Sequence, residues 1–258
     1  MDPAKPTKTA APVPATPSTQ TTPAMSVTDV TVSYGATLAI EHATFTVPVG
    51  SVMGLLGPNG AGKSTIIKAG LELMDHTGTV RFFGKPLEEV RRKVAYMPQV
   101  AAVDWDYPIT VEQVVTMGMY TELGWLRRAN AAHRSRVMEV LDRVGIAELA
   151  KRQISELSGG QRRRVFVARI LVQAPELYLL DEPFAGVDAA SERVIRGVLR
   201  ELRDQGATIV IVHHDLSTVA ELCDHVTILN REIIATGPTS EEFTRENITK
   251  AFGLGLLE

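Results

Sequence analysis

Cysteine is almost absent: Cys223 stands alone in 258 residues, which excludes an internal disulfide and a cysteine-based zinc site and fits a reducing compartment. Missing too is any apolar run near the roughly 20 residues that a bilayer span needs. If the protein works at a membrane, another chain must cross it. No charge of one sign dominates, since 27 Lys and Arg face 30 Asp and Glu for a net charge of -3. Without a basic field, binding to nucleic acid has no support. Residues 1–24 hold few large apolar side chains among Ala, Pro, Thr and Lys, too few to offset the entropy of ordering, and predict a disordered tail. That tail lacks the apolar core of a secretory signal peptide, so export is not indicated. Elsewhere the chain, 45% hydrophobic and 22% charged overall, is rich enough for a sizeable core, and 25–258 is expected to form a single domain.

The densest chemical signal is Gly57-Pro58-Asn59-Gly60-Ala61-Gly62-Lys63-Ser64-Thr65. It fits the phosphate-loop pattern directly after the apolar run Val52-Met53-Gly54-Leu55-Leu56, which reads as a buried strand. Its glycines let successive backbone N–H groups turn towards phosphate oxygens, and a helix starting near Lys63 aims its positive dipole end at them. Lys63 adds a point charge for the β- and γ-phosphates, and Ser64 is the expected Mg²⁺ ligand. A Gly-rich turn that happens to contain Lys-Ser is the competing reading, and the strand before it with the helix after it argue against that.

Around this loop the patterns alternate. Residues 27–47 read as two antiparallel strands broken at Tyr34-Gly35. Residues 66–74 carry a helical stripe that stops near His76; 79–83 and 94–97 read as strands, with a charged helical segment at 87–93 between them. From 100 to 160 strand signals vanish and helical spacing takes over at 111–119 and 135–144, which marks an inserted helical unit. A helix at 165–172, a buried strand at 177–180, a helix near 190–203 and a second buried strand at 208–212 follow. Strands separated by helices at this spacing imply a mostly parallel, twisted α/β sheet, whose ligands sit at the carboxyl ends of the strands. The phosphate loop, Asp181-Glu182 and His214 all fall there. Asp181 can hold Mg²⁺ through water and Glu182 can polarise an attacking water. His214 can contact the γ-phosphate region, and Gln99 can reach the metal or that water. Taken singly, an acidic pair after a strand is often a solvated turn, and a lone histidine is more often a satisfied structural residue.

The segment Leu157-Ser158-Gly159-Gly160-Gln161 changes the weight of these observations. With it, the chain resembles the nucleotide-binding subunit of ATP-binding cassette transporters from Val27 to about Phe252. The resemblance implies a P-loop ATPase core with an antiparallel β-subdomain and an inserted helical subdomain. It makes Tyr34, which periodicity alone would pack at a strand end, the adenine-stacking aromatic, and Gln99 the Q-loop residue with a place at the Mg²⁺ site. Residues 157–161 become the signature, Asp181 and Glu182 the Mg²⁺ aspartate and catalytic glutamate, Asp188 the D-loop aspartate and His214 the switch histidine. ATP and Mg²⁺ are the implied cofactors. Arg163 stands where Gln is common, and His213 where Thr or Ser is usual; both departures lie outside the catalytic positions, and Arg162, Arg163 and Arg164 are expected to form a partly solvated basic face.

The resemblance also implies a head-to-tail homodimer, with ATP between one subunit's phosphate loop and the other's signature. Ser158, Gly159 and Gly160 open a helix, a backbone anion site that cannot reach the phosphate loop of its own chain; a simple Ser158 cap is compatible with that role. The segment 103–111, with Asp104, Trp105, Asp106 and Tyr107, suits a docking surface for an integral membrane permease; packing of Trp105 and Tyr107 inside the helical unit is the alternative. That segment and Ala185-Gly186-Val187-Asp188 look like those of the manganese, zinc and iron importer ATPases. This implies a peripheral subunit at the cytoplasmic face of the cell membrane, working with an extracytoplasmic substrate-binding protein. A siderophore or other transporter ATPase shares every catalytic motif, and a soluble non-transport ATPase of this fold is the remaining class.

Overall fold

In the computed structural model the described residues are 22–99, 107–124, 129–213 and 216–253. The chain opens with β1 (Met25–Tyr34) and β2 (Thr37–Val47), an antiparallel pair turned at Gly35, followed by β3 (Val52–Leu56), α1 (Lys63–Gly70) and β4 (Thr77–Phe82). Next come α2 (Leu87–Val90), a single 3₁₀ turn, β5 (Val94–Met97), and the helices α3 (Val111–Met117), α4 (Tyr120–Leu123) and α5 (Ala131–Arg143). The remainder is α6 (Gly159–Leu171), β6 (Leu177–Asp181), α7 (Ala189–Asp204), β7 (Thr208–His213), α8 (Val219–Leu222), β8 (His225–Asn230), β9 (Glu232–Pro238), α9 (Thr239–Glu242) and α10 (Arg245–Phe252).

Two sheets result. One is antiparallel in the order β2-β1-β4; the other runs β5-β6-β7-β3-β8-β9 and is parallel except for the edge hairpin partner β9. Central strands covered on both faces need apolar residues at consecutive positions, and β3, β6 and β7 are buried at every residue. Alternation then divides each strand between two cores. On β6 and β7, Tyr178, Leu180, Ile209 and Ile211 join the core shared with α3, α5, α6 and α7. Leu177, Leu179, Val210 and Val212 join the core shared with α1 and the antiparallel sheet. By the same parity Asp181 ends β6 on the α1 face, which carries the phosphate loop.

Several boundaries differ from expectation. Helix α1 stops at Gly70 and not near His76: Gly70, a poor helix former, lies against Met25 and Val80, and Glu72 adopts a left-handed φ of 58°. Leu71 still reaches the core while Leu73 is exposed. Helix α5 begins four residues early, because Asn130 and His133 close a capping box. Ala24, grouped with the tail on composition, is buried; its N–H donates to Val47 O and its carbonyl accepts from Phe83 N. The hairpin β8–β9 and the two terminal helices went unread in the sequence. Leu179 is fully buried between α1 and the sheet. Leu179→Ala is expected to cost about 2–5 kcal/mol of stability, measured as a lower urea midpoint with an unchanged m-value.

Candidate nucleotide site

The loop between β3 and α1 bends back over the end of the parallel sheet. Gly62 has φ 97°, and a Cβ there would sit 2.2 Å from Ile40 Cδ1 and 2.8 Å from Ala39 O, so β2 presses directly on the loop. Only glycine fits this approach. The N–H of Ala61 donates to Pro58 O, and Ile66 N to Gly62 O, which starts the helix. Lys63, nearly buried, donates from Nζ to Gly57 O and Pro58 O, both at 2.8 Å. Burial lowers its pKa, against the pull of Glu182 and Asp181. Between loop, β2 and the sheet end lies a cleft of about 570 Å³. Its walls include Tyr34, Asn59, Gly60, Lys63, Gln99 and Glu182.

Two hydrogen bonds bring together residues far apart in sequence. Ser64 Oγ donates to Asp181 Oδ1 at 2.7 Å, and Gln99 Nε2 donates to Glu182 Oε2 at 2.9 Å. Asp181 is 1% exposed and its Oδ2 has no hydrogen-bond partner among the described residues. Burial raises its carboxyl pKa; the Ser64 bond lowers it in part. Tyr96, on the same face of the neighbouring strand, turns its buried hydroxyl towards Asp181 without forming an aligned hydrogen bond, and its pKa is pushed up by burial first and by Asp181 second. A serine hydroxyl beside a carboxylate with a free buried oxygen is a hard-oxygen donor set of the kind Mg²⁺ takes, with phosphate and water completing the shell. Among the described residues no group of three His, Cys, Asp or Glu could hold a metal. Glu182 follows with φ 52°, an uncommon conformation for a non-glycine residue that turns the chain sharply off β6.

Most of the predicted site residues converge here: Gly57, Pro58, Asn59, Gly60, Ala61, Gly62, Lys63, Ser64 and Thr65 form the loop, with Gln99, Asp181 and Glu182 against it. Tyr34 stands at the rim, 53% exposed, its hydroxyl 3.4 Å from Thr65 Oγ1. The segment Leu157, Ser158, Gly159, Gly160 and Gln161 does not join the cleft. It caps α6, where Ser158 accepts from Gln161 N and Gln161 Oε1 accepts from Ser158 N. Asp188 caps α7 beside it, its pKa lowered chiefly by the Ser191 N–H. His214, Asp104, Trp105 and Asp106 lie outside the described residues. Thr37, Leu38, Ala39 and Arg231 line the cleft without having been singled out. No motif marks them; Arg231 is held by backbone alone, its N–H on Ala61 O and its carbonyl accepting from Glu41 N. The basic run is corrected at Arg163 alone, Arg162 and Arg164 being half-buried as a partly solvated face requires. Arg163 is 4% exposed, and all three arginines donate to backbone carbonyls: Arg162 to Ser155, Arg163 to Ala185 and Arg164 to Gly145.

Comparison with known proteins decides the family. A family model described as ABC transporter matches residues 40–185, more than half the chain. The chain belongs to the ABC transporter family. It is 47% identical over 230 residues to the manganese transport system ATP-binding protein MntB of Halalkalibacterium halodurans, covering 89% of this chain and 92% of that one. The zinc transport system ATP-binding protein TroB of Treponema pallidum is also 47% identical, over 89% of this chain and 87% of its own. Among solved structures, cbiO1 of Clostridium perfringens, part of the ABC transporter complex cbiONQ, superposes with a TM-score of 0.73 at 28% identity, covering 88% of this chain and 93% of that one. As an ABC ATPase the chain hydrolyses ATP in support of transport, and no helix among its described residues is long and apolar enough to cross a membrane.

The buried carboxylate gives a signed pH prediction for the nucleotide-free protein. With the folded pKa of Asp181 raised, the folded state holds its proton longer than the unfolded state. Stability is therefore unaffected by this group at pH well below the ordinary carboxylate value, and falls as pH rises from that value through the raised one. Asp181→Asn is expected to raise the Tm at pH 7.5, the gain shrinking as pH is lowered towards 3.5. An equal Tm difference at both pH values would show that the buried charge is not the cause.

Proposed function

We propose that this ABC ATPase drives uptake of a divalent metal, manganese, zinc or iron, through a separate membrane permease. The observation that carries the chemistry is the pairing of Ser64 with Asp181 and of Gln99 with Glu182 at one end of the parallel sheet. The 47% identity to manganese and zinc transport ATPases over nine-tenths of the chain supports the cargo.

In this reading Tyr34 stacks on adenine while the loop N–H groups and Lys63 hold the phosphates. Ser64 and Asp181, with Gln99 nearby, would hold Mg²⁺, which would supply neutralisation of charge on the β- and γ-phosphates. Glu182 orients a water in line with the γ-phosphorus and accepts its proton as the bond to the β–γ bridging oxygen breaks; Gln99 holds the carboxylate in place. His214 contacts the γ-phosphate. The open N-terminus of α6, outside the cleft of its own chain, is the surface that a second copy's ATP requires, so the ATP-bound state is a homodimer with Asp188 at its seam. The permease docks on the helical subdomain, where Tyr107, Met117, Tyr120 and Met138 are exposed around α3, α4 and α5. Aromatic and methionine side chains concentrate binding energy at such surfaces. The subunit then sits at the cytoplasmic face of the membrane and meets the extracytoplasmic binding protein only through the permease.

Glu182→Gln is expected to lower kcat by about 10²–10⁴-fold while ATP affinity is kept. Light scattering should show this variant dimeric with ATP and Mg²⁺ and monomeric without nucleotide. Turnover near that of the parent would remove Glu182 from the role, and a monomer in ATP would remove the dimer. For the cargo, cells carrying the transporter with or without Glu182→Gln are compared for accumulated manganese, zinc and iron. Uptake of a chelated metal only, or of none, would favour the siderophore or the non-transport reading.

A further inference from the structure

Arg163 carries more than its place after the signature suggests. It lies on the second turn of α6, on the face turned inward, and its Nη2 donates to Ala185 O at 2.8 Å. Ala185 stands between Glu182 and Asp188, in the turn that leads from the end of β6 to the start of α7. Other side chains hold the flanks of that turn: Gln99 donates to Glu182, Phe184 meets His213 edge-on at 5.3 Å with Arg196 over it at 5.6 Å, and Asp188 bonds Ser191. The turn's own backbone bonds are long, Ala185 N to Glu182 O at 3.2 Å and Val187 N to Phe184 O at 3.4 Å. A guanidinium cannot shed its proton in a protein, so burial of Arg163 demands nearby negative charge, which Glu182 and Asp181 supply. Its Nη1 is buried with no hydrogen-bond partner among the described residues. At the other end of the same turn, a Cβ on Gly160 would sit 2.4 Å from Asp188 Oδ2, so the start of α6 is pressed against the start of α7.

We infer that Arg163 is a positioning residue that ties the signature helix to the turn carrying Glu182, so that the place of the catalytic carboxylate is set by the seating of α6. A displacement of the α6 N-terminus by a partner's nucleotide reaches the Ala185 carbonyl through one side chain and its single Nη2 hydrogen bond. Glu182 is three residues away. Arg163 does not line the cleft and acts through that turn. This inference rests on the reading of Glu182 as the base.

The test compares Arg163→Met with Arg163→Lys in the full chain. Methionine fills much of the same volume but offers neither donor nor charge, and lysine restores both without the fork. Expected for Arg163→Met is a kcat lower by about 10- to 100-fold, the range of a lost charge-assisted hydrogen bond. KM and the Kd for a fluorescent ATP analogue should stay within about threefold, since no phosphate contact is touched. Arg163→Lys should recover most of the loss. Thermal melting of each variant, with kcat expressed per folded molecule, separates positioning from folding. Equal kcat in both variants, whether full or lost, or a loss in KM and Kd that matches the loss in kcat, would overturn the inference. Glu182→Gln, assayed beside them, separates the two ideas: full turnover there overturns the base assignment, whereas an inactive Glu182→Gln with a fully active Arg163→Met overturns Arg163 alone.

Discussion

The energetics of one buried carboxylate govern this architecture. Asp181 ends a strand with no solvent on either face, where an unpaired negative charge is costly. Offsetting that cost needs a donor from another element, and Ser64 supplies it from the first turn of α1. The requirement fixes the height of α1 above the sheet, and with it the height of the phosphate loop that opens the helix. Because side chains alternate along a strand, a one-residue slip of β6 would turn Asp181 towards the opposite core and separate the pair. Register and chemistry are thus the same constraint.

The two cores divide the labour. The core under α1 and the antiparallel sheet holds the nucleotide-facing parts together, whereas the larger core joins the sheet to α3, α5 and α6. The strands belong to both: β3, β5, β6, β7 and β8 each send side chains into the two cores.

Much of this was legible from residues 57–65, from the continuous apolar runs of β6 and β7, and from the acidic pair after Leu180. These features are local: their meaning follows from spacing within ten residues. The end of α1 was misjudged because Leu71 and Met74 keep helical spacing while packing from a turn, and periodicity cannot tell the two apart. Arg162, Arg163 and Arg164 read as a partly solvated face because charge is usually solvated; Arg163 is buried instead because its acceptor is the Ala185 carbonyl, which no local pattern announces. Arg231 and Ala39 line the cleft from a turn and a strand that no motif marks. The contact of Ile40 with Gly62 pairs positions 22 residues apart that carry no chemical label.

The turn between β8 and β9 is a mechanical link. Through the N–H and carbonyl of Arg231 it is stitched to Ala61 of the phosphate loop on one side and to Glu41 of β2 on the other, while Ile40 of β2 closes on Gly62. The strand that leads from the Tyr34 end of the cleft and the Gly57–Thr65 loop are therefore one bracket, not two independent pieces. Such a bracket fixes the span between the two ends of the cleft: neither can move outward without parting a backbone seam at the other.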